Sequence, residues 1–233
     1  MQSILKYEPH FPVVTVDLAP AEELVADYGA MVARSPAVEL EVRLLVGRRP
    51  SFFDKLKSLL AAVVRRALGS RGLFMNHFSS PTGGWVRLAS PMGGGIKQLS
   101  LRDSAKWKIS PRAFIAHTGP IDLKMIWGSV RAVFSREGVV FLDASGEGEI
   151  WVAGYGAIDE LEVNGSYVVD SGHVVAFEKQ LAYEVRHASG HIGDTAIPGE
   201  GLVLELTGTG RVLVQTRNIG ALTSWVGRQL PTL

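Results

Sequence analysis

The chain contains no cysteine, which removes disulfides, thiol nucleophiles and thiolate metal sites together. Asparagine is nearly absent too, with only Asn76, Asn164 and Asn218 in 233 residues. That shortage suits heat-adapted proteins, although a charged content of 20% is ordinary. Neither sign of charge dominates: the formal net charge is +1, which argues against a dedicated nucleic-acid binder. No apolar run reaches the roughly 18–20 residues that cross a bilayer. The opening "MQSILKYEPHFPVV" has no apolar core followed by a small-residue cleavage site. These absences predict a cytoplasmic protein whose contact with a membrane, if it has one, is peripheral.

Glycine, by contrast, is abundant at 26 residues and has no collagen-like period, which predicts many tight turns. In "GEGLVLELTGTGRVLVQTR" (199–217) the glycines flank two alternating apolar runs. Related stretches are "GLFMNHFSSPTGGWVRLASP" from Gly72 and "GVVFLDASGEGEIWVAGYG" from Gly138. Each moves from an apolar run through a glycine signal into alternating pairs: Val86/Leu88, Ile150/Val152 and Val212/Val214. "PRAFIAHTGPIDLKM" (111–125) likewise resembles "SGHVVAFEKQLAYEV" (171–185), and "YGAMVARSPAVELEVRL" (28–44) reads as a third version. A supersecondary unit of short strands, used three times, accounts for this, because one hairpin cannot bury enough surface alone. A phosphate cradle would need its glycines to run into a helix N-terminus. Here they run into strands.

The segment "RRPSFFDKLKSLLAAVVRRALGSRG" breaks the β pattern. Ser51 with Asp54 forms a box-like start and Gly69 a stop, predicting a helix over 51–69. Phe52, Leu56, Leu59, Leu60, Val63 and Ala67 recur at three- and four-residue steps. Seven basic residues from Arg48 to Arg71 face one acid, Asp54. Such a helix can cover an open end of the β assembly, lie on an anionic membrane, meet a protein partner or touch RNA. Leu59, Val63, Arg65 and Arg66 are the candidate contact residues for a membrane surface or partner.

Catalytic chemistry is harder to find. His187 and His191 have metal-ligand spacing, with Asp194 near them, but Ser189, Gly190 and Gly193 make the stretch a loop. His117 and His173 fall in strands and are expected to be satisfied polar groups. No G-x-S-x-G occurs, and Asp143 with Glu147 is too common a turn spacing to signal an acid–base pair. No catalytic, cofactor or metal residues are assigned. The scattered tryptophans lack interleaved basic residues and are expected to anchor a core or a subunit interface.

The quoted β blocks, with "VVDSGHVVAF", resemble the altered inheritance rate of mitochondria family over roughly Tyr28 to Arg217. The resemblance implies an all-β fold similar to the subunit of tryptophan RNA-binding attenuation protein, duplicated within one chain, and a homo-oligomer. It supplies no catalytic residues, and the tryptophan- and RNA-binding residues of the attenuation protein have no counterparts here. "PAEELVADYG" (20–29) is helical by propensity, yet its strand-like flanks and the resemblance favour a strand. The expected organisation is an N-terminal unit over 1–110, C-terminal units over 111–218 and a tail over 219–233 with a short helix. The expected job is a non-catalytic oligomeric scaffold or adaptor with no cofactor. The alternative is a small-ligand-binding module with a pocket between β units or subunits.

Overall fold

A computed structural model describes residues 1–45, 74–102, 105–127, 139–188 and 202–229. The strands begin with β1 (Gln2–Lys6), β2 (Val13–Leu18), β3 (Glu23–Asp27), β4 (Met31–Arg34) and β5 (Glu39–Leu44). They continue through β6 (Phe74–Ser79), β7 (Gly84–Ala89), β8 (Ile96–Leu101), β9 (Trp107–Ile109), β10 (Phe114–Thr118) and β11 (Ile121–Trp127). The remainder are β12 (Val140–Gly146), β13 (Gly148–Ala153), β14 (Ile158–Asp170), β15 (Val174–Glu178), β16 (Ala182–His187) and β17 (Leu202–Gln215). One α-helix, α1 (Ile219–Gln229), occurs among the described residues and buries none of its side chains. The fold is therefore all-β and antiparallel. The expected helix over 51–69 lies outside the described residues.

Local sequence explains the elements. In β2, "VVTVDL", Val14, Val16 and Leu18 are buried while Thr15 and Asp17 point away, the two-residue period of a half-buried strand. Glu23–Asp27 is a strand despite its helix-forming residues, because β6 and β10 pair with it on both sides.

The strands form three sheets. The first runs β1-β2-β7-β4, the second β5-β6-β3-β10-β13-β8, and the third β11-β12-β9-β15-β17-β14, with β16 added on β17. Three apolar cores lie between them in series. Val14, Val16, Val86 and Leu88 of the first sheet pack with Ile115 and Trp151 of the second. Leu99, Phe114 and Val152 of the second pack with Trp107, Leu142 and Leu213 of the third. On the far side of the third, Phe141, Phe177 and Val212 pack with Leu204, Leu206 and Val169. A sheet covered on both faces has no polar face, which is why all five residues of β10, "FIAHT", are buried.

The third core requires β14 and β17 to leave the third sheet and fold back over it. They bend where Gly165 and Gly208 sit opposite each other, both at positive φ (109° and 118°). Three strand pairs share a further irregularity. β4·β7, β10·β13 and β15·β17 each carry one bulge, at Val32, Ile115 and Val175 respectively. The positions on either side keep the same register in all three.

Candidate functional site

Register builds a concavity lined by several charged and titratable side chains. Val25 on β3 lies opposite His77 on β6 and opposite His117 on β10. The row His77–Val25–His117 therefore crosses three adjacent strands on one face. This face looks into a cleft of about 860 Å³ that is also lined by Thr118, Gly119, Pro120, Ile121 and Leu123.

At its mouth the charged groups pair among themselves. Glu23 Oε1 is 2.8 Å from His77 Nδ1 and accepts from Arg43 Nη1 at 3.1 Å. Arg43 Nη2 also donates to Glu41 at 2.5 Å, and that bond raises the guanidinium's pKa. Across the cleft Arg102 donates to Glu149 at 3.2 Å. Burial opposes the Glu149 charge, but bonds from Ser100, Gln98 and Arg102 outweigh it and lower its pKa.

His117 differs from these paired groups. It is buried, and its Nδ1 has no hydrogen-bond partner. Desolvation, with a smaller contribution from His77, lowers its pKa to about 4. The imidazole is thus neutral near pH 7 and leaves one polar nitrogen unsatisfied, a costly arrangement in a protein interior. The expectation that it would be a satisfied strand histidine fails here. His173 is satisfied, with its Nδ1 2.7 Å from the Gln215 carbonyl oxygen, but it ends a 3-10 turn (Ser171–His173) ahead of β15 and does not lie in a strand. A second cleft, of about 370 Å³, lies between Pro111, Tyr155, Gln215 and the start of α1.

Of the other candidates, His187 ends β16, while His191 and Asp194 lie outside the described residues. No group of three or more potential metal ligands occurs among the described residues. Asp143 engages Lys179 Nζ at 2.6 Å, and Glu147 sits in the turn between β12 and β13. Leu59, Val63, Arg65 and Arg66 fall in the undescribed stretch 46–73. Trp107 and Trp151 are core anchors, whereas Trp225 on α1 is exposed. No described helix is long and apolar enough to cross a membrane.

The His77–His117 row has no local signature. The two residues lie in "FMNHFS" and "FIAHT", far apart in sequence, and only the pairing of both strands with β3 brings them together. Two histidines at alternating positions of separate strands was the available signal.

Known proteins place the chain. It is 26% identical over 225 residues to the uncharacterized protein M6_Spy0233 of Streptococcus pyogenes serotype M6, covering 95% of this chain and 88% of that one. The crystal structure of protein SPYM3_0169 from Streptococcus pyogenes superposes with a TM-score of 0.78 at 22% identity, covering 98% and 99% of the two chains. That likeness shows the fold. The family model described as Mitochondrial biogenesis AIM24 matches residues 5–217. The chain belongs to that family.

Proposed function

We propose that the protein is a non-catalytic, homo-oligomeric scaffold built from three copies of one TRAP-like β unit. The single observation that carries this reading is the thrice-repeated bulged strand pair, at Val32, Ile115 and Val175. Consecutive units in this reading share sheets. The second sheet combines β5-β6-β3 with β10-β13-β8, and the third combines β11-β12-β9 with β15-β17-β14. A chain made this way has unfinished ends, and such ends favour assembly. The basic segment 51–69, with Leu59, Val63, Arg65 and Arg66, is the element we assign to an anionic membrane or protein partner. Light scattering on the purified chain tests the reading. A mass of at least two 25.2 kDa chains supports it, and a monomer at high concentration contradicts it.

A second reading, a small-ligand-binding module, is favoured by the unpartnered His117 Nδ1 in the larger cleft. It predicts that one compound from a panel of amino acids and nucleotides raises the melting temperature saturably. The same compound should fail with His117→Phe. No shift across the panel counts against it.

A further inference from the structure

We propose that copies of the chain join head to tail through two specific strand edges. The C-terminal half of β14 (166–170) in one copy pairs antiparallel with β4 of the next. The inference rests on the scaffold reading and specifies its contact.

The register defines the junction. Ala26, Ile109 and Val169 each lie five residues before the first residue of a bulged pair, Met31, Phe114 and Val174. Each has an equivalent partner on one side: Asn76 on β6, Leu142 on β12 and Leu204 on β17. On the other side, Ala26 lies opposite Ala116 and Ile109 lies opposite Ala176. The position equivalent to Ala116 and Ala176 in the first bulged pair is Ala33. Among the described residues, however, β14 pairs only with β17 and β4 only with β7. Two junctions are made within the chain, and the halves of a third are left apart. In the completed junction Val169 lies opposite Ala33 and Val168 opposite Arg34.

Burial identifies these halves as unfinished. Val32 is 56% exposed, whereas its equivalents Ile115 and Val175 are 2% and 0% exposed. Val168 is 54% exposed, whereas its equivalents Val25 and Lys108 are each 8% exposed. An apolar strand edge left open is a template for pairing.

Among the described residues, no strand supplies the missing partner of either edge. β4 belongs to the first sheet, and the C-terminal half of β14 lies over the third. No core cluster contains residues of both, and the second and third sheets lie between them. The occupant is therefore a second copy, joined by a heterologous contact. Charge agrees with this. Inside the chain, Lys97 of the second sheet pairs with Glu160 of the third. By register, the equivalent of Lys97 at the far end is Asp159, and the equivalent of Glu160 at the near end is Thr15. Thr15 accepts from Arg87 Nε at 3.2 Å on the outer face of the first sheet. Joining two copies brings the exposed Asp159 of one towards the exposed Arg87 of the next.

The test uses the full chain and two exposed substitutions, Val32→Lys and Val168→Lys, each checked for folding by circular dichroism. Each variant alone should fall to the mass of one 25.2 kDa chain. An equimolar mixture should form a dimer and nothing larger, because each variant keeps one sound edge. Variants that retain the wild-type mass, or a mixture that stays monomeric, overturn the junction. The former leaves the scaffold reading standing, whereas a monomeric wild type removes both. A second measurement leaves the apolar edge residue Val32 intact and exploits the absence of native cysteine. Chains carrying Arg34→Cys and Val168→Cys, mixed under mild oxidation, should cross-link, since directly opposite residues have Cβ atoms about 4.5–5.5 Å apart. Neither variant should cross-link alone, and no cross-link in the mixture contradicts the register.

Discussion

His117 enters the folded state as a neutral imidazole, and that fixes how acid acts on the protein. Its folded pKa of about 4 lies below the ordinary 6.5. Above that ordinary value neither the folded nor the unfolded chain carries the proton, and the stability associated with burial is complete. As pH falls towards about 4 the unfolded chain takes up the proton and the folded one does not, so stability is lost across that window. The full loss is roughly 3 kcal/mol. His117→Gln, which cannot titrate, should show a shallower fall in melting temperature between those limits, and parallel curves would contradict the assignment. Little of this was legible in the sequence. A histidine inside "FIAHT" reads as a strand residue, but its burial comes from sheets above and below it. Those sheets are brought in by residues remote in sequence.

At the scale of elements the sequence was far more informative, because alternation and glycine placement are local. The blocks at 28–44, 111–125 and 171–185 each became two strands around a break. The glycines at the junctions turn strands, and Gly146 shows why the residue is needed. Its φ is 118°, and a Cβ there would run into the carbonyl oxygen of Pro120. Gly146→Ala should therefore destabilise by about 2 kcal/mol or more, read as a lower denaturant midpoint. Gly227→Ala, in the exposed helix with nothing within 4 Å of the added atom, should carry no such cost. β9 was not legible: "WKI" is three residues long, too short for a period, and is held as a strand by β12 and β15. Nor does alternation reveal that β14 and β17 each serve two layers, since a bend at Gly165 and Gly208 leaves the apolar rhythm on either side intact.

For the whole molecule, the order of its sheets carries the functional argument. In the scaffold reading, each internal junction buries a strand pair, β3 with β10 and β9 with β15, while at the two ends no described strand pairs with the corresponding positions. The repeated sequence blocks suggested copies of one unit. Which edges those copies leave unpaired depends on hydrogen-bond register, and no single strand's sequence encodes that. The open edges make the scaffold reading specific enough to be wrong. Amide hydrogen exchange on the unmodified protein, at a concentration where it would assemble, tests it most directly. The account predicts that the amides of β4 and of residues 166–170 exchange as slowly as those of β3 and β10, and that dilution speeds them selectively. If those edges exchange rapidly at every concentration while β3 and β10 stay protected, the chain does not assemble through them and the central claim fails.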